Sequence, residues 1–194
     1  MKRNNISRVL IIIGALLIVS AVGLLVFRNV FISSSISKAE SVVATLAELV
    51  PQVNDATFDD RKNTDMPAVQ IDGSDYIGML EAKDFQIKLP ICSNGRQPES
   101  KSMPYRYSGS IYDGSLVLGG EDYKGQFEFL TKIDERHLIT ITDLDGNRYT
   151  YIMIFVERMK NCNTDTLDTA EADLTLFSKN TSSRNWIVAK FKML

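Results

Sequence analysis

Two short apolar runs, residues 116–123 (LVLGGEDY) and residues 173–179 (DLTLFSK), decide the fold of this chain. Runs of this length are typical of strands that are buried on both faces. In the first stretch a carboxylate, Glu121, follows residues 116–120, and in the second an ammonium, Lys179, follows residues 174–178. The sequence therefore predicts buried strands over residues 115–119 and 173–178, with charges of opposite sign at or just after their ends.

Further segments along the chain also have the pattern of short strands. Asp145-Gly146 predicts a hairpin turn, because both residues tolerate a positive φ. Residues 92–108 contain Ser, Asn, Gly and Pro, which predicts a loop or a broken helix. Many short strands in one domain predict a mainly β fold, either a closed barrel or a sandwich. The additional predicted strands are residues 76–80, 85–91, 138–142, 148–156 and 186–191.

The N-terminal region predicts a membrane anchor. Residues 9–27 carry no charge, and as a helix they extend about 28 Å, close to the thickness of a hydrocarbon core. Lys2, Arg3 and Arg8 precede this run and only Arg28 follows it closely, so the positive-inside rule predicts a cytoplasmic N-terminus and an extracellular C-terminal domain. A cleaved signal peptide is the alternative, although it normally has a shorter apolar region.

A second helix is predicted after the anchor. Ser37 and Glu40 have the spacing of a capping box, apolar residues recur over positions 42–50, and Pro51 ends the pattern. We expect a stalk helix; a helix packed on the domain is the alternative. The predicted organisation is a cytoplasmic tip and anchor over 1–30, a stalk and linker over 31–65, and a globular domain over 66–194.

Composition excludes several classes of function. The net charge is −2, and no basic patch with interleaved aromatic residues is present, so nucleic acid is not expected as a partner.

Cys92 and Cys162 lie in no nucleophile motif and are predicted to form a disulfide or to remain two free thiols. The acidic residues 143–147 lack the spacing of a calcium loop, and no metal or cofactor site is predicted.

Several motifs resemble the sortase family, in particular the class B-like sortases of Gram-positive bacteria. Residues 76–81 (YIGMLE) followed by 87–91 (IKLPI) resemble the opening hairpin of the family. Residues 104–112 (PYRYSGSIY) and 142–147 (TDLDGN) resemble further segments. The resemblance implies a closed sortase-type β-barrel of about eight strands with short helices over residues 66–194.

The resemblance also assigns the catalytic positions, and two of them are substituted. Residues 116–123 resemble the strand that ends in the family's Gly-His pair, and Glu121 stands at the histidine. Residues 173–179 resemble the strand that ends in Thr-Leu-x-Thr-Cys, and Lys179 stands at the nucleophilic cysteine. The family arginine falls on Trp186 without a gap, or on Arg184 if two residues are deleted from the preceding loop.

These substitutions remove the family's chemistry, in which a thiolate attacks the backbone of a sorting signal beside a histidine and an arginine. A carboxylate would raise the pKa of a neighbouring thiol instead of lowering it. We expect Glu121 and Lys179 to form an ion pair; the alternative is two solvated charges. Ser178 needs a base to act as a nucleophile, and His137 is the only histidine.

The predicted function is a membrane-anchored, extracytoplasmic, sortase-like protein without catalysis. It would bind a sorting-signal peptide, a surface or pilin protein, or an active sortase during surface-protein or pilus assembly. The predicted binding residues are Glu121, Ser178, Lys179 and Arg184. One alternative is an active sortase with an atypical site at Lys179 or Ser178 that attaches surface proteins to the cell wall. Another is a structural envelope protein that has lost the peptide groove.

Overall fold

A computed structural model describes residues 2–56, 65–135, 137–160, 171–179 and 185–194. Among these residues, helix α1 (Lys2–Leu49) comes first and is followed by ten strands. The same described ranges contain three short 3₁₀ helices between strands, at Lys83–Phe85, Pro98–Lys101 and Phe127–Thr131. The strands are β1 (Asn54–Asp55), β2 (Val69–Ile71), β3 (Ser74–Ala82), β4 (Ile87–Cys92), β5 (Tyr105–Ser108), β6 (Leu116–Glu121), β7 (Leu138–Asp143), β8 (Asn147–Lys160), β9 (Leu174–Lys179) and β10 (Asn185–Met193).

Eight of these strands close into a barrel, which confirms the predicted mainly β fold. The order around the barrel is β8-β10-β9-β6-β5-β4-β3-β7, and β7 returns to β8. The short strands β1 and β2 extend the sheet beside β8 and β3. The interior is filled by alternate residues of the strands, including Leu80, Ile91, Leu118, Leu176 and Phe191.

Helix α1 is continuous where the sequence predicted an anchor helix and a separate stalk helix. Ser37 lies inside the helix, so the capping-box prediction of a new N-terminus was wrong. No Gly or Pro lies between Gly23 and Pro51, so nothing interrupts the backbone hydrogen bonds until Pro51 ends the helix as predicted.

The chain divides into two compact units, Met1–Ser35 and Ile36–Leu194. The first unit belongs to a helix that is long and apolar enough to cross a membrane, with a mean hydropathy of 3.0 in its apolar window. An N-terminal signal sequence can meet the same criterion of length and hydropathy, so this segment is a candidate membrane span.

Within the second unit, the end of α1 packs on the outer face of β3 and β4. Ala39, Val42 and Leu46 are buried there in one apolar cluster, which also contains Tyr76, Met79, Leu89, Cys92 and Met103. Lys38 Nζ lies 2.6 Å from Glu99 Oε1 at the edge of this cluster. Residues 39–46 are therefore packed on the domain, which was the alternative to a free stalk.

The hairpin between β7 and β8 has the predicted turn. Gly146 has a φ of +85°, while Asp145 keeps a negative φ. The buried Asp143 carboxylate accepts hydrogen bonds from the backbone N–H groups of Asp145 at 3.0 Å and Asn147 at 2.8 Å. It also accepts one from the side-chain amide of Asn147 at 2.9 Å. Asp143 therefore stabilises the turn as a hydrogen-bond acceptor.

Strand β5 was not predicted, because the sequence favoured a loop or a broken helix over residues 92–108. It pairs mainly with β6, where Tyr105 lies opposite Gly119 and Arg106 opposite Leu118, and also with β4 through Cys92. A strand of four residues is too short for its periodicity to be recognised in the sequence. The segment becomes a strand because it pairs with its neighbours in the sheet.

Candidate functional site

Strands β6 and β9 are parallel neighbours, and their ends bring the predicted site residues together. The register pairs Gly120 with Ser178 and Glu121 with Lys179. Side chains alternate between faces along a strand, and Leu176 belongs to the barrel interior, so Ser178 points inward. Glu121 and Lys179 therefore share the outer face.

The predicted ion pair between Glu121 and Lys179 is not formed. The ion pairs among the described residues do not include this one, although the two residues are neighbours in register. Lys179 is exposed, and its Nζ lies 5.8 Å from the centroid of the Trp186 ring, within the range of a cation–π contact. The ammonium is therefore directed toward the neighbouring strand β10.

The partly buried Glu121 carboxyl has a raised pKa. Burial is the main cause, and the charge of Lys179 lowers the pKa in part. The backbone N–H of Glu121 donates to the side-chain Oε1 of Gln126, which fixes the end of β6.

Replacing Glu121 with Gln is expected to stabilise the protein slightly near neutral pH. Because the folded pKa is raised, wild-type Glu121 contributes most below its ordinary pKa of 4.5, and this contribution is lost as the pH rises through the folded pKa. The gain in the free energy of unfolding of E121Q over wild type should therefore grow from about pH 4 to about pH 7, staying below about 1 kcal/mol for a partly exposed group, and urea unfolding at each pH measures it. In a Lys179→Met background this gain should be larger, because the ammonium that favours the ionised Glu121 is absent. A gain that shrinks with rising pH would contradict this account.

Trp186 lies directly across from Lys179 in the antiparallel pairing of β9 and β10. It therefore lies next to Lys179, the residue that the sequence resemblance predicts at the position of the family's cysteine. Arg184, the other residue proposed for the family arginine, lies outside the described residues, and so does Cys162.

An aromatic row on the outer face is a feature that the sequence analysis missed. Phe177 contacts Tyr107 at 5.3 Å and Trp186 at 5.9 Å between ring centroids. The Tyr105 ring covers Gly119, where an added Cβ would come within 2.6 Å of it. Burial, with the nearby charge of Glu121, raises the pKa of Tyr105. Alternation along the predicted strand at residues 173–178 places Phe177 on the same face as Lys179, so this residue could have been found from the sequence. Tyr105 and Tyr107 lie in β5, which the sequence did not predict.

A polar cavity of about 350 Å³ adjoins this row. Tyr107 lines it together with Arg106, Ser108 and Asp113. The guanidinium Nε of Arg106 donates to the carbonyl of Ser93 at 3.3 Å, which fixes the side chain at the wall. The outer face therefore combines an apolar strip with a polar recess at its side.

A Ser178–His137 couple is not formed. Ser178 is fully buried, and its hydroxyl has no hydrogen-bond partner among the residues that the structure describes. His137 Nδ1 lies 2.8 Å from Asp134 Oδ1, and its ring stacks at 4.7 Å from that of Phe85. The histidine belongs to the turn before β7 and has no base role toward Ser178.

Cys92 is a free, fully buried thiol. Burial, helped by the charge of Glu99, raises its pKa to about 12. A thiol of this kind is not a nucleophile near neutral pH, because only the thiolate reacts.

In a Cys162→Ser variant, Cys92 is therefore expected to resist iodoacetamide at about pH 8 while the protein is folded. Labelling should be at least about 100-fold slower than in denaturant, since reaction requires opening of the core. Mass spectrometry of the intact chain measures the adduct. Equal labelling rates in both conditions would show that the thiol is accessible.

No protein-family model and no curated protein sequence matches this chain. Solved structures do match it. Sortase C1 from Streptococcus agalactiae is similar with a TM-score of 0.54 at 18% identity, over 66% of this chain and 70% of that one. A sortase D5 transpeptidase from Clostridium perfringens is similar with a TM-score of 0.52 at 14% identity, over 62% and 79% of the two chains.

Sortase E1 from Streptomyces coelicolor, solved with a tripeptide in its active site, is similar with a TM-score of 0.52 at 15% identity. The match covers 65% of this chain and 91% of that one. At these identities the likeness shows the fold, and the chain has a sortase-like fold with an N-terminal apolar helix. The class B-like resemblance and the assignment of Glu121 and Lys179 to catalytic positions remain predictions.

Proposed function

We propose that this protein is a membrane-anchored sortase-like protein that binds a sorting-signal peptide or a surface or pilin protein without cleaving it. The observation that carries the proposal is the register of β6 and β9, which places Glu121 beside Lys179 on the outer face. The family resemblance assigns these two positions to the histidine and the cysteine. A carboxylate and an ammonium therefore stand where a thiolate and its partner would be needed.

The surroundings of Lys179 support a role without catalysis. A lysine amine becomes a nucleophile when it is desolvated and has no carboxylate nearby. Lys179 is exposed and is the register partner of Glu121, so neither condition is met. Ser178 has no base among the described residues, because its buried hydroxyl makes no hydrogen bond to His137 or to any other of them.

The outer face supports binding of an extended peptide. Tyr107, Phe177 and Trp186 provide aromatic contact area, and Glu121 and Lys179 offer one charge of each sign at the strand ends. The similar sortase E1 was solved with a tripeptide in its active site. A peptide on this face would lie along β6 and β9, with polar groups reaching the recess beside Tyr107.

The N-terminal helix supports anchoring. Its apolar window and the preceding basic residues favour an N-terminus in the cytoplasm and a domain outside the cell membrane. Surface-protein or pilus assembly is the setting that follows, with an active sortase as a further partner.

The test combines peptide titration with mass spectrometry on the full chain in nanodiscs. A panel of sorting-signal peptides is mixed with wild type and an amine acceptor. Wild type is expected to give binding but neither cleavage nor an acyl adduct, because none of the described residues is an activated nucleophile. Trp186→Ala should weaken binding by about fivefold or more, since a buried aromatic contact contributes about 1 kcal/mol or more. Phe155→Ala removes an exposed aromatic side chain of β8 and is the matched control.

Two outcomes contradict the proposal, and a third supports it. An adduct or cleavage with wild type would favour the active sortase, and Ser178→Ala and Lys179→Met would then locate the nucleophile. Turnover only in a Glu121→His/Lys179→Cys variant would show that the groove is intact and only the chemistry is lost, which supports the proposal. Absence of any peptide binding would overturn it in favour of a structural envelope protein.

A further inference from the structure

A second cavity, of about 370 Å³, lies in the unit Ile36–Leu194 away from the aromatic row. Its apolar wall is formed by Ile36 of α1, Phe85, Ile87 at the start of β4, and Phe129. Phe85 and Phe129 contact each other with ring centroids 5.4 Å apart. None of the predicted site residues that the structure describes lines this cavity, so peptide binding does not account for it.

Charged side chains surround the apolar wall. Lys124, Lys132 and Glu128 line the cavity, and both lysines are exposed. Lys132 Nζ lies 3.8 Å from Glu128 Oε1, so the carboxylate is offset by one of the two lysines. The rim therefore has a net positive charge above an apolar wall, which is complementary to an amphiphile with an anionic head.

Gly125 lies close to Ile36 of α1 in the wall of the cavity. It has a φ of +91°, and an added Cβ would come within 2.7 Å of the Ile36 side chain. A side chain at this position would therefore have to displace Ile36 from the wall of the cavity.

The chain itself limits the distance between this cavity and the apolar N-terminal run. Ile36 follows Phe27, the last residue of that run, by nine positions. A fully extended chain of this length spans about 30 Å, and this upper limit holds for any arrangement of the two units. A lipid headgroup at the surface of the bilayer in which residues 9–27 are anchored is therefore within reach.

We propose that this cavity binds the headgroup region of an anionic membrane lipid. Lys124 and Lys132 would contact the phosphate, and the glycerol and first methylene groups would pack on Phe85 and Phe129. Basic residues near a bilayer recognise anionic headgroups in this way. The proposal rests on the anchoring part of the proposed function and is independent of peptide binding.

The test uses the full chain in nanodiscs made of equal parts of phosphatidylglycerol and phosphatidylcholine. Native mass spectrometry after release from the disc counts the lipids that remain bound and separates them by headgroup mass. Wild type is expected to retain phosphatidylglycerol in preference to phosphatidylcholine. Lys124→Gln/Lys132→Gln should reduce this preference by about tenfold, since each lysine near an anionic surface strengthens binding by about fivefold before screening.

Lys88→Gln/Lys101→Gln is the matched control, because both lysines are exposed and neither lines the cavity. Retention in this control should equal that of wild type. Equal retention of the two lipids by wild type, or an equal loss in both double variants, would overturn the lipid site. Failure of wild type to insert into the disc would overturn the anchor as well, whereas loss of peptide binding alone would leave the lipid result unchanged.

Discussion

Removal of residues 1–65 is expected to destabilise the barrel strongly, whereas removal of residues 1–35 should leave it folded. The longer deletion takes away Ala39, Val42 and Leu46, which are at most 3% exposed on the outer face of β3 and β4. Burying a Val or Leu side chain contributes about 1.5–3 kcal/mol, so the three residues together contribute about 4–6 kcal/mol. This is comparable with the whole stability of many domains.

Urea unfolding of fragments 36–194 and 66–194, followed by circular dichroism, measures this difference. The shorter fragment also exposes Tyr76, Met79 and Leu89, so we expect it to aggregate at concentrations where fragment 36–194 is monomeric. Single variants of the longer fragment provide matched controls. Leu46→Ala should cost about 3 kcal/mol, whereas Leu49→Ala, at a position 57% exposed, should cost less than about 0.5 kcal/mol. Equal stability of the two fragments would show that α1 is dispensable for the barrel.

Gly78→Ala is expected to cost about 2–5 kcal/mol or to prevent folding. Gly78 has a φ of +152°, and an added Cβ would lie 2.3 Å from the carbonyl oxygen of Thr142 on β7. The obstructing atom belongs to the backbone of the neighbouring strand and cannot rotate away. A left-handed conformation costs a non-glycine residue about 1–2 kcal/mol, and overpacking adds about 1–3 kcal/mol.

Gly73→Ala separates these two costs. Gly73 also has a positive φ, of +81°, but an added Cβ would meet no atom within 4 Å. This variant should therefore lose only the conformational part, about 1–2 kcal/mol. Thermal or urea unfolding of both variants measures the difference, and equal losses would show that β7 yields to the extra methyl group.

Local pattern was sufficient for the elements that carry strong periodicity. The apolar runs near Leu116 and Leu174 became β6 and β9, and the charges at their ends were recognised from the sequence. The family resemblance then implied a closed barrel, which the structure confirms. Pro51 and Gly146 were also interpreted correctly, because their effect on the backbone is local and does not depend on the rest of the chain.

The long-range pairing of short segments was not predictable in the same way. Strand β5 has a pattern too short to distinguish it from a loop, and its pairing with β6 is what makes it a strand. The direction of Lys179 likewise depends on Trp186 of another strand, so an ion pair with Glu121 was a reasonable but wrong expectation.

The sequence by itself determined the apolar N-terminal helix, the strands with clear periodicity and the charges at the ends of β6 and β9. These follow from the chemistry of residues that are close along the chain. Only the tertiary structure decided that Ala39, Val42 and Leu46 belong to the barrel, that Ser178 is buried without His137, and that aromatic side chains border the site. The reason is physical: an amphipathic helix or an outward strand residue is equally compatible with solvent and with an apolar neighbour, and only the packed neighbour decides between them.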